Sequence, residues 1–282
     1  PCDGRNAQPP GGLGPDAEAE LPRPPSFNEK DTSARPSLAD HPDRMGRGDV
    51  NDATQAWRCG LAAMRAVDDE LTPLLAGLER SGTLANTVVV YLSDNGYYYG
   101  EHRLTEDKRL PLEAALRVPM AIRVGSAVGT GRQPAAIGEL VSQVDLAPTL
   151  LDYAGADSCP AGERCPPLDG RSLRKLLRGS SSGWPADRAI PLSLDDGWTY
   201  EALRTRSELY MEITAARKRD FESPQQELYD LGPDPDQLVN LAAEGEGRER
   251  ERLDRLQRRL ARLVRCAGIR GRDADRGRPY CD

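Results

Sequence analysis

Between Asn86 and Leu104 the sequence reads NTVVVYLSDNGYYYGEHRL: an unbroken apolar, β-branched run from Thr87 to Leu92, then an acid, an amide and a glycine. Hydrophobicity without alternation is the pattern of a strand covered on both faces, as in a parallel sheet flanked by helices. Asp94 and Asn95 then fall just past the strand's carboxyl end, where open α/β sheets collect ligands. A carboxylate beside an amide oxygen suits a hard cation such as Ca²⁺ or Mg²⁺, and Gly96 lets the backbone turn so that both can face one point. The same triplet also makes an ordinary turn. What favours a site is its company: Glu101 and His102 lie just beyond, and Lys108 follows in a loop without helical or strand pattern. Lysine and histidine bind oxyanion oxygens and supply a proton to a leaving alcohol, so the group implies an anionic substrate.

Working outward, Trp57, Leu61, Met64, Val67, Leu71, Leu74, Leu75 and Leu78 recur at three and four, one face of a long amphipathic helix that Gly82 should stop. Pro73 should kink or break it. Val118 to Val124 reads as a second strand. In the segment from Val141 to Ala154, Asp145 can cap a short helix, LAPTLLDYA, closed by Gly155. Residues 1–50 carry too much proline and glycine for regular structure. After residue 187 the texture changes to short strand-like runs, AIPLSL, EALRTR, ELYMEIT and ELYDLGPDPDQLVNLA, then a charged helix marked by Leu253, Leu256, Leu260 and Leu263. The expected organisation is an irregular arm (1–50), an α/β unit with a mostly parallel sheet (51–187) and a small antiparallel sheet with one helix (188–282). The Arg/Glu run of that helix, and the arginine-rich tail RCAGIRGRDADRGRPYC, read as solvated faces.

The chain of 282 residues carries a formal net charge of −7, with no long block of one sign. That argues against a general nucleic-acid binder. No apolar run approaches the ~20 residues needed to cross a bilayer. The first residue is Pro1 and the first methionine Met45; upstream residues, a signal peptide among them, are expected. Six cysteines favour an exported protein with disulfides, Cys159 with Cys165 and Cys266 with Cys281 each closing a loop. Free thiols and zinc are the poorer alternatives, and Cys59, on the helical apolar pattern, reads as a packed thiol.

The segment VVVYLSDNGYYYGEHRLTEDKRLPLEAALRVPMAIR resembles the second signature region of the type I sulfatases of the alkaline phosphatase superfamily. PRPPSFNEKD, VSQVDLAPTLLDYAG, LDGRSL and ELYDLGPDPDQLVNLA match further segments in that family's order, with most similarity to the N-acetylglucosamine-6-sulfatase and arylsulfatase group. The resemblance implies an alkaline-phosphatase-like fold, here incomplete, and hydrolysis of sulfate esters of aryl or sugar substrates. It implies Ca²⁺ ligation by Asp94 and Asn95, a sulfate or leaving-oxygen contact from Lys108, and a substrate-side polar role for His102.

The sequence also departs from that family. Its members use a formylglycine made within a C-x-P-x-R-like motif, and none of the six cysteines begins one. Asp68-Asp69 lies on the long helix rather than at a strand end, and His41, in the arm, reads as a surface histidine. The chain is therefore expected to hold part of an active site and to be inactive alone. Its expected partners are a sulfated small molecule or glycan and the N-terminal part of the same protein, without which Thr87–Leu92 would expose a strand edge and the isolated chain would dissolve poorly. Two other readings stand beside this one: a non-catalytic protein that binds sulfated glycans, and a phosphodiesterase or phosphonate hydrolase of the same superfamily.

Overall fold

The computed structural model describes residues 12–39, 43–105, 107–129, 133–157, 165–216, 219–243, 245–273 and 277–281. His41 and Cys159 lie outside them. Helix α1, Arg47–Arg80, runs 34 residues. It opens at Gly46, whose N–H donates to the Asp49 carboxylate at 2.8 Å, and ends before Gly82, whose φ of 73° needs no Cβ penalty there. The helix passes through Pro73 without a break. Ala53, Cys59 and Ala62 are its buried residues, while Met64, Val67 and Leu74 of the periodic stripe are exposed. Asp68 and Asp69 are exposed as well.

Strand β1, Val88–Leu92, pairs with β2, Met120–Val124, from Val88 opposite Val124 to Leu92 opposite Met120. The pairing is antiparallel, and so is every other pairing among the described strands. The mostly parallel sheet expected from the sequence is not seen among the described strands. A parallel neighbour needs a crossover that carries the chain back to the starting edge; here the connection, with short helix α2 at Glu113–Leu116, folds over the strand ends and returns directly. β1 is half-buried at every position rather than fully covered. The sequence after β2 forms α3, Leu146–Ala154, closed by Gly155 at φ 62°. Short helix α4, Arg174–Leu177, packs Leu173, Leu176 and Leu177 against Met120, Ile122 and Val124.

The C-terminal sheet is as expected. β3 (Ile190–Asp195), β4 (Trp198–Arg204), β5 (Glu208–Ala216) and β6 (Arg219–Asp230) form a four-stranded antiparallel meander, followed by α5, Gly247–Leu263. Pro224 sits in β6, an edge strand, where a missing N–H costs no ladder bond. Side-chain alternation splits the sheet between two cores. Leu203, Tyr210 and Leu228 meet Leu253, Leu256, Leu260 and Leu263 of α5. Trp198, Tyr200, Ala202, Leu209, Met211 and Tyr229 face the other way, onto Leu38 and onto Tyr98, Leu104, Leu110, Leu112 and Ala115. One core thus joins the arm, the loop after β1 and the C-terminal sheet.

Among its described residues the arm has two 3-10 turns, Gly14–Glu18 and Pro36–Leu38, and the second is anchored on the C-terminal sheet. The Trp198 indole N–H donates to the Ser37 carbonyl at 3.0 Å, and the Ser37 N–H donates to Glu227 at 2.7 Å. Cys266 and Cys281 are disulfide-bonded, as the spacing suggested. Cys59 is also disulfide-bonded, which corrects its reading as a packed thiol, and Cys165 is too; no described cysteine is free. Helical spacing reports which face a thiol occupies and says nothing of what reaches it.

Candidate active site

Asp94 and Asn95 lie directly past the end of β1, Asp94 exposed and Asn95 half-buried. The turn is fixed from several sides. The Asp94 carboxylate accepts the Asn95 N–H at 2.9 Å, and the Ser93 hydroxyl donates to the Asn95 carbonyl at 2.7 Å. From the start of the α3 segment, the Gln143 amide donates to the carbonyls of Ser93 and Asp94 at 2.8 and 2.9 Å. Gly96 donates its N–H to Ala115 at 2.8 Å, and a Cβ there would stand 1.9 Å from the Ala114 carbonyl oxygen. Only glycine lets α2 approach this closely.

Lys108 is exposed on the same loop. The Tyr98 N–H donates to the Asp107 carbonyl at 3.1 Å, which ties the segment before Lys108 to the segment after the Asp94–Asn95–Gly96 turn. Asp107 is the pivot. It is buried, and one of its oxygens accepts the N–H groups of Lys108 and Arg109 at 2.6 and 2.9 Å. The Arg109 guanidinium grips both oxygens, at 3.1 and 2.8 Å, and lies over the Trp198 ring. Burial alone would raise the Asp107 carboxyl, but these donors together hold it below the usual carboxylate value. Two tyrosines complete the clamp: Tyr200 donates to the Arg109 carbonyl and Tyr98 to the Leu110 carbonyl, each at 2.8 Å.

His102 sits elsewhere in this loop, 3 % exposed, at φ +54°, with its N–H donated to Ser26 at 2.7 Å. Its Nδ1 lies 2.6 Å from Arg35 Nη1 and 3.0 Å from Glu29 Oε2. Both partners meet the same nitrogen: Nδ1 can accept from the Arg35 guanidinium or donate to the Glu29 carboxylate, but not both, and the tautomer sets which bond is made. Burial pushes the imidazole pKa down, while the Glu29 carboxylate pulls it up. Arg35 and Glu29 are themselves buried and paired at 3.0 Å, and Arg35 also donates to the Gln237 carbonyl. His102 therefore belongs to a polar knot that ties the arm to the loop, whereas Asp94 and Lys108 are exposed and Asn95 half-buried. Asp107, Arg109, Gln143, Trp198 and Tyr200 were not singled out from the sequence. Their signal was available only in part, as Gln143 lies in VSQVDLAPTLLDYAG.

Asp94 and Asn95 fit part of a calcium site. The Asn95 amide nitrogen is committed to the Gly96 carbonyl at 2.8 Å, which leaves Oδ1 as the coordinating atom beside a carboxylate. Calcium takes six to eight oxygens, so further ligands are needed; among the described residues no group of three or more His, Cys, Asp or Glu is placed to hold a metal.

Residues 14–156 match the sulfatase family, and residues 100–265 match the family described as N-sulphoglucosamine sulphohydrolase, C-terminal. The chain belongs to the sulfatases, type I enzymes of the alkaline phosphatase superfamily. Human N-acetylglucosamine-6-sulfatase is 30 % identical over 281 residues, covering 88 % of this chain and 48 % of its own length. N-acetylglucosamine-6-O-sulfatase of Bacteroides thetaiotaomicron is 33 % identical over 199 residues, covering 68 % of this chain and 33 % of its own. The chain spans about half the length, or less, of the curated relatives it matches. A protein solved in complex with its substrate D-glucosamine-2-N,6-O-disulfate aligns with a TM-score of 0.58 at 26 % identity, over 77 % of this chain and 42 % of that one. A putative sulfatase from Bacteroides thetaiotaomicron shares the fold, with a TM-score of 0.60 at 23 % identity, over 89 % of this chain and 55 % of that one. No described helix is long and apolar enough to cross a membrane.

Proposed function

We propose that this chain carries the calcium and leaving-group side of a sulfate-ester hydrolase acting on a sulfated amino sugar of the glucosamine 6-sulfate type. What supports the reading is the clamp on the Lys108 backbone: a buried aspartate, itself gripped by an arginine that lies over Trp198, fixes the loop that carries this exposed lysine, on the same β1–β2 connection as the Asp94–Asn95 turn. Asp94 and the Asn95 amide oxygen would hold Ca²⁺, which when bound polarises the sulfuryl oxygens. Lys108 places a positive donor against the sulfate and the oxygen that departs with the sugar. The attacking nucleophile is not among these residues, since no cysteine here begins a C-x-P-x-R segment. The polar knot around His102 supports the loop from its buried side. Relatives named for 6-sulfated glucosamine support the choice of sugar. Disulfides at Cys59, Cys165 and Cys266–Cys281 support export to an oxidising compartment.

The test is sulfate release from N-acetylglucosamine 6-sulfate by the full-length protein, with calcium binding followed by calorimetry. Lys108→Met should lower kcat by about a hundredfold or more, and Asp94→Ala with Asn95→Ala should remove the calcium heat. Calcium binding that survives the double replacement, or turnover untouched by Lys108→Met, sinks the assignment.

A further inference from the structure

Positive charge collects at the end of helix α5. Glu249, Glu251 and Asp254 are balanced by Arg248, Arg250 and Arg252 in its first half, whereas Arg255, Arg258, Arg259 and Arg262, and Arg265 just past its end, follow with no acid among them. In a chain of net charge −7 this is a local inversion of sign. Part of it has a structural account: cations suit a helix C-terminus, and Arg255 pairs with Glu208 at 3.3 Å. The rest lines a concavity. A cavity of about 690 Å³ has Arg258, Arg262 and Arg265 on one wall and Arg278 on the other. A second, of about 490 Å³, shares Arg258 and Arg262 and adds Arg171, Arg188 and Arg259, with Asp187 the one acid among its lining residues.

The far wall is rigid. The Cys266–Cys281 disulfide closes the tail onto the helix end, and backbone bonds from Ala267 to Pro279 and from Cys281 to Gly268, each 2.9 Å, hold it there. Crowding of like charge also registers on Arg259. Burial lowers its hold on the proton, Arg262 and Arg255 act in the same direction, and Asp187 opposes them. The concavity therefore gathers several guanidinium groups, of which Arg188 is committed to Asp145 at 2.7 Å and Arg259 to Asp187, while Arg258, Arg262, Arg265 and Arg278 are exposed along it.

We propose that the two adjoining cavities form one groove that binds a sulfated linear polysaccharide through sugar units other than the one hydrolysed. Guanidinium forks match the paired oxygens of a sulfate and are the side chains suited to partly desolvated anion pairing. Each cavity taken singly is in the size range of a ligand site. The choice of a sulfated polymer among polyanions rests on the sulfatase reading; the anion-binding groove does not.

The experiment is fluorescence anisotropy of a labelled heparin oligosaccharide titrated with the full chain, read beside hydrolysis of monosaccharide sulfate by the full-length protein. The triple variant R258Q/R262Q/R265Q should bind about tenfold more weakly or worse, and R278Q, alone on the opposite wall, should weaken binding in the same direction. All four side chains belong to exposed residues, so thermal unfolding should be unchanged. KM for the polymer should rise while kcat on the monosaccharide stays the same. Unchanged affinity in both variants overturns the groove. Equal affinity for desulfated oligosaccharide, or for a single-stranded oligonucleotide of matched charge, overturns the assignment to sulfated polysaccharide. Loss of binding in the variants of a protein that releases no sulfate would retain the groove and reject the hydrolase reading, so the two failures are separable.

Discussion

The guanidinium of Arg109 lies 4.6 Å from the ring centroid of Trp198 while both of its bonds to Asp107 stay within 3.1 Å. A fully buried tryptophan of the C-terminal sheet is thereby connected, through one arginine and one aspartate, to the backbone of an exposed lysine. Lys108 has a long flexible stem, so its reach depends on how firmly its own backbone is held.

Asp107→Ala should therefore lower kcat for sulfate-ester hydrolysis by about tenfold, through misplacement of Lys108 rather than loss of a reacting group. KM should change little, and Asp107→Asn, which keeps a backbone acceptor, should recover part of the rate. Steady-state kinetics on the three forms decide it; equal losses in Ala and Asn variants would mean that charge, not position, is what matters.

Gly96→Ala should be among the most damaging small substitutions. Its Cβ would meet the Ala114 carbonyl oxygen at 1.9 Å and Ala115 Cα at 2.9 Å, both backbone atoms that cannot swing aside. A stability loss of at least about 1–3 kcal/mol is expected, together with weaker calcium binding as the Asp94–Asn95 turn is pushed out. A denaturant melt superimposable on the parent would contradict the packing described.

Acidification should weaken the fold through His102. Its folded pKa is depressed below the ordinary 6.5, mainly by burial, while Glu29 and Asp236 pull it up and Arg35 pushes it down. The unfolded chain then binds the extra proton first, so the stability it contributes is present above 6.5 and lost as pH falls toward the folded value, at a slope of at most about 1.4 kcal/mol per pH unit. Burial raises the Glu227 carboxyl, which gives the opposite slope above its ordinary 4.5, so the comparison must be with His102→Gln. Chemical denaturation between pH 5 and 7 should show a steeper acid loss in the parent than in the variant, about 1 kcal/mol per unit or less in difference; identical slopes would remove His102 from the account.

Serine at both Cys266 and Cys281 should cost about 3 kcal/mol, the loop entropy for a crosslink of this span; the two cysteines are 15 residues apart. It should also loosen the Arg278 wall and bring heparin affinity toward that of R278Q. Calorimetric melting with and without reductant, beside the anisotropy titration, checks both halves, and an unshifted melt would show that the tail is held by other contacts.

What could be read from the sequence was local. Apolar runs and a closing glycine located β1, β2, α3 and the C-terminal meander within a few residues, because those patterns are written in neighbouring side chains; the expected cap on α3 is not made, since the buried Asp145 carboxylate accepts from Arg188, Arg171 and Ser142 instead. The direction of β1's partner was not, since a continuous apolar run looks the same beside a parallel or an antiparallel neighbour. The polar first half of β6, RDFESPQQ with its 217–218 approach outside the described residues, carries no strand pattern and is a strand only because β5 lies beside it. Likewise Asp94, Asn95 and Lys108 could be named from one short stretch, whereas the contact of Arg109 with Trp198, or of His102 with Arg35, joins residues far apart in sequence. Neither partner advertises the other.

The anchoring of the lysine loop and the arm on the C-terminal sheet also sets an order of events during synthesis. The loop cannot settle until Trp198 and Tyr200 have emerged from the ribosome, and the Ser37 and Arg35 contacts must wait longer still, for Glu227 and Gln237. Residues made before the C-terminal sheet are therefore fixed only after it, and the nascent chain spends that interval with Glu29, Arg35 and His102 in water, in the care of whatever escorts it.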